Sequence, residues 1–240
     1  MRRPSTSERL RQKLDLLTTS ASRASRALWT HARFSELFPE YLFALHCSTR
    51  ASVPLMETAR ERAARLAPND PAAARLAVYL TAHIPEERNH DQWLLDDLET
   101  LGVPRSEVLQ RVPSPSVAAL VGSQYYWVLH YHPVALLGYI AVLEGYPPSA
   151  AELEQVITRT GLPRGAFRTL LEHSDLDQAH RDEFYRTLDH LPLSHEQSAL
   201  LVVSGFWTMH LVIQLLEDVL EEYRPQRARR ASVRRRAVRA

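Results

Sequence analysis

The chain has 240 residues, of which 45% are hydrophobic and 24% charged, and its formal net charge is +1. This length and balance predict one globular domain with a large core. A single cysteine, Cys47, excludes an internal disulfide framework and any site built from several thiolates. The N-terminus has no apolar segment typical of a signal peptide, and no stretch approaches the roughly 20 apolar residues of a membrane span. We therefore expect a soluble, cytoplasmic protein.

The N-terminal half repeats apolar residues at spacings of three and four, the period of amphipathic helices. Asp70 followed by Pro71 predicts the start of a helix, as N-cap and first helical residue. This helical pattern runs to Gly102, a suitable C-terminal residue. Pro85 lies inside it and predicts a kink or a break close to His83.

The C-terminal half is also helical in pattern. A long segment ending at Gly145 is apolar on most faces, which is typical of a buried helix, and Pro133 predicts a kink in it. Two shorter helical segments follow, and Ser194 with Gln197 forms the capping-box pattern that opens the last helix. No alternating strand pattern is present. Residues 1–223 are therefore predicted to be an all-α single bundle of about seven to eight helices.

The tail, residues 224–240, carries 8 of the 29 basic residues and no acidic residue. Without it the chain has 21 basic and 28 acidic residues, a net charge of about −7. A charge run without apolar period predicts disorder, and binding of an anionic partner is the alternative. The acidic body makes nucleic acid an unlikely partner for the chain as a whole.

Two stretches place ligand-type side chains at helical spacing. His173, Asp177 and His180 are at i, i+4 and i+7, which puts them on one face of a helix. Glu87 and His90 are at i and i+3, the Glu-x-x-His spacing that carboxylate-bridged di-iron bundles use. Either pattern by itself also occurs on solvated helix faces, so neither one is specific.

A third helix contributes Glu144, which follows an apolar run and would be costly to bury without a partner. An exposed helix end is the simpler alternative for this residue. With the other five residues it makes three carboxylates and three imidazoles, a donor set suited to iron or manganese and lacking the thiolates of structural zinc sites. Apolar neighbours such as Trp93 and Leu170 favour an inward orientation of the motifs. The joint pattern predicts a metal site.

The order of these motifs resembles that of the haem-oxygenase-like di-iron oxidases and oxygenases, relatives by fold of the TenA and PqqC proteins. The resemblance covers roughly residues 34–217. It implies a haem-oxygenase-like bundle that holds two iron ions, or an Fe/Mn pair, and uses O2 as co-substrate without haem. By matching positions, it implies as metal ligands Glu87, His90, Glu144, His173, Asp177 and His180.

Some members of the resembled family have a glutamate seven residues before the histidine, where this chain has His83. His83 is therefore a further candidate, either as a ligand or as a group that contacts one. Glu86 is the register alternative to Glu87. Among the acidic residues of 91–99, one inward carboxylate is expected to form a hydrogen bond with a ligand imidazole.

A substrate pocket is predicted from polar and aromatic side chains near apolar segments. The candidates are His46, Arg50, Tyr126, His130 and His132. The alternative is a packed aromatic core whose polar tips have partners. Cys47 as a TenA-like nucleophile is disfavoured, because no base is visible near it.

The expected function is that of a non-haem di-iron oxygenase or oxidase acting on a small organic substrate. C–C cleavage, desaturation and N-oxygenation all remain open, and no catalytic residue beyond the metal ligands is predicted. The electron donor is undetermined, and a homodimer is compatible with the sequence. The alternatives are a metal-free oxidase like PqqC and a non-catalytic helical module that binds a partner through its basic tail.

Overall fold

The structure is a computed structural model that describes the backbone of residues 4–237, and the side chains of these residues except 175–181 and 222–237. Within the described residues the chain forms ten α-helices, one 3₁₀ helix at Arg164–Phe167 and no strand. The helices are α1 (Thr6–Trp29), α2 (Phe34–Leu66), α3 (Pro71–Glu87), α4 (His90–Thr100), α5 (Arg105–Gln110), α6 (Pro115–His130), α7 (Ala135–Leu143), α8 (Ala150–Thr160), α9 (Arg168–His190) and α10 (His195–Ala237).

Several helix starts follow from local capping chemistry. The Asp70 carboxylate accepts the backbone N–H groups of Ala72 and Ala73, at 2.8 and 2.9 Å, so the predicted cap of α3 is confirmed. Before α10, the backbone N–H of Gln197 donates to Ser194 Oγ and that of Ser194 donates to the Gln197 side chain. The predicted capping box is therefore confirmed as well.

The predicted number of seven to eight helices is wrong, because two long helical patterns are each divided. The first division does not fall at Pro85: α3 continues through this proline to Glu87. Asn89 then takes a left-handed conformation with φ 71°, which asparagine tolerates better than most residues, and α4 starts at His90. Residues 131–134, which include Pro133, separate α6 from α7. The short helix α5 adds one more.

The bundle core is organised around α10 and α2. Helix α10 packs against α1, α6 and α7, while α2 packs against α3, α4 and α6. Helices α7 and α10 approach so closely that a Cβ atom at Gly138 would clash with the backbone of Leu201 and Gly205. This contact fixes α7 against the central helix, and with it the residue that follows α7, Glu144.

Residues 195–221 of α10 form a helix long and apolar enough to cross a membrane by length and composition. This corrects the expectation that no stretch approaches that length. Of its most apolar window, 44% is buried, and the helix packs against four others, α1, α2, α6 and α7. Central helices of globular bundles have the same length and composition, so this segment is weak evidence for a span. The described side chains end at residue 221, and the nature of the basic tail stays a prediction.

Candidate metal centre

Five of the candidate metal-binding side chains, from four helices, converge at one place in the bundle. His83 and Glu87 lie in the last turns of α3, His90 is the first residue of α4, Glu144 caps the C-terminus of α7, and His173 lies in α9. Their nitrogen and oxygen atoms form two groups, each with its atoms within 4.8 Å of one another. One group is Glu87, His90 and His173, and the other is His83, Glu87 and Glu144. Glu87 belongs to both.

The Glu87–His90 pair does not come from one continuous helix, as its spacing had suggested. The left-handed Asn89 ends α3 and starts α4 between the two residues. His90 Nδ1 still lies 3.2 Å from Glu87 Oε2, but this buried nitrogen makes no hydrogen bond with the described residues. A buried ring nitrogen that lies this close to a carboxylate fits a pair of ligands to a shared cation.

The second group is held by an imidazole between carboxylates. The ring of His83 donates from Nε2 to Glu144 Oε1 at 3.0 Å and from Nδ1 to Glu86 Oε2 at 3.2 Å. Burial opposes a charge on His83, but the bond to Glu144 and the charges of Glu144 and Glu87 outweigh it and raise the pKa of His83 to about 9. Glu86 lies on the outer side of the ring and is not part of either group. The centre therefore holds a positive charge between its carboxylates.

Glu87 keeps its negative charge in spite of its burial. Desolvation disfavours the ionised form, but His90, His83 and His173 together hold the pKa of Glu87 below its usual value. An ionised carboxylate surrounded by three imidazoles is a strong oxygen donor to a divalent metal. The donor set therefore fits iron or manganese.

His173 is oriented by its own helix. Its Nδ1–H donates to the carbonyl oxygen of Thr169 at 2.7 Å, which leaves the lone pair on Nε2 for another partner. The rings of His173 and His90 meet edge to face, with centroids 4.7 Å apart, and the Trp93 ring lies 4.3 Å from that of His90. A backbone acceptor on the distal nitrogen is the usual support of a metal-bound histidine.

Two tyrosines lie at the centre, of which Tyr79 was not singled out as a site residue from the sequence. Tyr79, one turn before His83 on α3, stacks on the His83 ring at 5.2 Å. Tyr139 on α7 is buried, and burial raises its pKa to about 12, with smaller contributions from Glu87 and Glu144. The i−4 spacing of Tyr79 from His83 was the available sequence signal. Both phenols shield the centre from water as neutral groups.

Asp177 and His180 lie in the part of α9 whose side chains fall outside the described residues. The helix itself spans both positions, as their spacing predicted. Their assignment as ligands stays a prediction.

The predicted substrate-pocket residues do not form one group. Arg50, Tyr126 and His130 are exposed. His46 is buried, donates from Nδ1 to the carbonyl oxygen of Asp91 at 3.1 Å, and makes no described hydrogen bond through Nε2. Burial lowers its pKa, so this ring is neutral near pH 7. His46 therefore remains the one buried pocket candidate that contacts the residue next to His90.

Two other residues, His132 and Cys47, have structural surroundings. His132 donates from Nε2 to Asp70 Oδ2 at 3.0 Å and accepts the backbone N–H of Val134 at Nδ1, so both ring nitrogens have structural partners. Cys47 is buried, and burial raises the pKa of its thiol, which disfavours the nucleophilic thiolate. Neither residue is placed for chemistry on a substrate.

A cleft of about 640 Å³ opens on the surface between α1, α9 and the loop after α7. Its lining includes Arg11, Asp15, Tyr146, Tyr185 and Gly145. Gly145 directly follows Glu144 in the chain, so the cleft reaches within one residue of the second ligand group.

Comparison with known proteins agrees with this arrangement. Residues 36–212 match a family described as iron-containing redox enzymes. The chain belongs to this family. The family is one of oxidoreductases that contain iron, and the predicted donor set of carboxylates and imidazoles is consistent with such a metal. A comparison with curated proteins gave no match.

Solved structures show the same fold at low sequence identity. A domain of unknown function with a haem-oxygenase-like fold from Shewanella denitrificans is 21% identical, with a TM-score of 0.73 and 89% of each chain covered. A TenA homologue from Pseudomonas syringae is 15% identical (TM-score 0.62, 87% of this chain and 93% of that one). A CADD-like protein of unknown function from Nostoc punctiforme is 16% identical (TM-score 0.64, 90% and 95%). The predicted all-α, haem-oxygenase-like fold is confirmed.

Proposed function

We propose that this iron-containing redox enzyme is a non-haem di-iron oxidase or oxygenase that uses O2 to oxidise a small organic substrate. The observation that carries the proposal is that Glu87 belongs to both groups of ligand-type atoms. A carboxylate has two oxygens and can contact two metals at once, and metals in dinuclear sites lie about 3.5–4 Å apart. Two groups joined by one carboxylate are therefore what a dinuclear centre requires.

Each metal position has its own ligands besides the shared one. Glu144 would hold one iron together with His83, whose Nε2 proton would be released as the metal binds. His90 and His173 would hold the other iron, while Asp177 and His180 would complete the coordination from α9. When bound, an iron pair supplies the electrons that O2 requires and that the side chains alone cannot supply. All these donors are nitrogen or oxygen, which suits Fe(II).

The remaining side chains prepare this site for redox chemistry. Thr169 fixes the His173 tautomer, so the Nε2 lone pair is available before metal arrives. Tyr79 and Trp93 cover the rings of His83 and His90, which limits the access of water to the centre. We propose that a small substrate approaches through the cleft lined by Gly145, the residue next to Glu144. The reaction subtype remains one of C–C cleavage, desaturation or N-oxygenation.

The proposal is tested by anaerobic titration of metal-free protein with Fe(II), followed by an O2 pulse monitored by stopped-flow absorption and an oxygen electrode. We expect about two irons per chain, as two ligand groups require, and rapid O2 consumption. The double variant Glu144→Ala, His173→Ala removes one ligand from each group. It should lose both the binding of iron and the consumption of O2. His132→Gln is the matched control, since this half-buried histidine lies outside both groups.

Failure of the wild type to bind iron, or equal O2 consumption by the double variant, would contradict the proposal. Substrate oxidation that is insensitive to chelators would instead favour a metal-free oxidase.

A further inference from the structure

A buried carboxylate links the two helices that carry His90 and His173. Asp97 on α4 is fully buried, and its Oδ2 accepts the backbone N–H of Thr169 at 3.0 Å. Thr169 is the second residue of α9, where backbone N–H groups have no partner within the helix. The N-cap residue, Phe167, makes no side-chain capping bond. Asp97 therefore caps α9 from a neighbouring helix.

The capped residue is also the one that orients His173. The carbonyl oxygen of Thr169 accepts the Nδ1–H of His173 at 2.7 Å. Fixing Thr169 thus fixes both the position and the tautomer of the imidazole one turn later. The link runs from the Asp97 carboxylate through the backbone of Thr169 to the ring of His173.

Asp97 also shares a helix face with His90. The two residues are seven apart on α4, two turns along the same side. At one end of α4, the ring of His90 contacts that of His173 edge to face. Two turns later, Asp97 caps the helix that carries His173. Helix α4 therefore sets the relative position of two histidines of the same ligand group.

Burial makes this carboxylate costly. Desolvation raises the pKa of Asp97, and the side chain and backbone N–H of Thr169 offset only part of that cost. The sequence suggested that an inward carboxylate of this segment would bond a ligand imidazole directly. The structure instead connects it through a backbone residue.

We propose that Asp97 is a positioning residue of the metal centre, which holds His173 in its metal-binding orientation by capping α9 at Thr169. The metal-binding consequence of this role rests on the proposed function, whereas the orientation of His173 does not.

The first test is a titration of metal-free protein with Co(II), followed by its visible absorption. Asp97→Ala removes the cap and should weaken the binding of one of the two Co(II) ions about 10- to 100-fold, the range found for residues that orient metal ligands. Asp97→Asn keeps an oxygen acceptor for the Thr169 N–H and should bind nearly as the wild type does.

The chain offers a matched control. Asp189 accepts the backbone N–H of Ser7 at 2.7 Å, so it caps the second residue of α1 from another helix, and α1 carries none of the candidate ligands. Asp189→Ala should lower the melting temperature, as Asp97→Ala does, and leave Co(II) affinity unchanged. Equal effects of the two variants on Co(II) binding would reduce Asp97 to a structural cap and overturn the proposal.

The second test needs no metal. Long-range ¹H–¹⁵N spectra of the imidazole rings report which nitrogen carries the proton, and a His173→Gln spectrum assigns the signal. The wild type and Asp97→Asn should show His173 protonated at Nδ1, and Asp97→Ala a mixture of tautomers. An unchanged tautomer in Asp97→Ala would overturn the proposal. A wild type that binds no Co(II) would overturn the proposed function, and the tautomer would still decide the role of Asp97.

Discussion

Two clusters of histidine and carboxylate in this bundle use the same residue types in different ways. The junction cluster, Asp70, His132 and Gln197, joins the starts of α3 and α10 to the loop before α7. Each nitrogen of the His132 ring has a partner, and both Asp70 oxygens accept hydrogen bonds. The metal centre brings two carboxylates and three imidazoles together, and His90 Nδ1 makes no hydrogen bond among the described residues.

The pKa values of the two clusters shift in opposite directions. Burial lowers the pKa of His132 in spite of its bond to Asp70, so that ring is neutral near pH 7. The carboxylates around His83 outweigh burial and raise its pKa to about 9. A single carboxylate that is itself fully bonded does not hold a cation, whereas two carboxylates converging on one imidazole do. His83 and His132 both have a partner at each ring nitrogen, so what distinguishes the metal centre is the number of carboxylates that converge on one imidazole.

The largest expected effect comes from removing the shared carboxylate. Glu87→Ala should abolish high-affinity Fe(II) binding at both positions, whereas Glu144→Ala should leave one iron per chain. Since even residues that only orient ligands change affinity by 10- to 100-fold, we expect the loss in Glu87→Ala to exceed roughly 100-fold. Anaerobic equilibrium dialysis with iron analysis measures both. One iron retained by Glu87→Ala would show that the two groups do not share this ligand.

The second effect concerns pH and the metal-free protein. The pKa of His83 is about 9 when folded, against an unfolded value near 6.5. Its contribution to the free energy of unfolding is therefore complete below about pH 6.5 and lost as the pH rises through about 9. At 1.36 kcal/mol per pKa unit, the loss is on the order of 3 kcal/mol. Urea unfolding at several pH values measures it.

His83→Gln is the control for this pH dependence and should lack it. If the free energy of unfolding changed equally with pH in the wild type and in His83→Gln between pH 6.5 and 9, the raised pKa of His83 would be contradicted. His132 has the opposite sign: its lowered pKa contributes stability above about pH 6.5, and this contribution is lost as the pH falls through the folded value.

The smallest effect is expected in the junction cluster. His132→Ala leaves Asp70 and the Val134 N–H without their partner, and should lower the free energy of unfolding by about 1–3 kcal/mol. Iron binding should be unchanged. Urea unfolding and iron titration of the same preparation measure both quantities, and a loss of iron affinity would place His132 in the metal centre after all.

Local chemistry allowed much of the fold to be predicted from the sequence. The caps at Asp70 and Ser194 depend on residues within three positions, and both were predictable. The break at Asn89 was not, because Pro85 was the stronger breaking signal and a left-handed asparagine has no firm local signature. Whether Glu87 reaches both ligand groups depends on that break, so its shared role could not be derived from spacing.

Contacts between residues far apart in the chain were the second part of the structure that the sequence could not predict. His132 lies 62 residues from Asp70 and 65 from Gln197, so no local pattern separates its structural role from a place in the pocket. His83 was a candidate from its i−7 spacing to His90 and from the resemblance, but no sequence pattern indicates its pairing with Glu144, 61 residues away. Residue types indicated the chemistry, and the tertiary structure decided which histidines take part in it.

The most direct test of the central claim is an anomalous diffraction measurement at the iron edge, on crystals soaked anaerobically with Fe(II). The account predicts two anomalous peaks about 3.5–4 Å apart. One should lie between His83, Glu87 and Glu144, and the other between Glu87, His90 and His173. A single peak, or two peaks without Glu87 between them, would contradict a dinuclear centre built on this shared carboxylate.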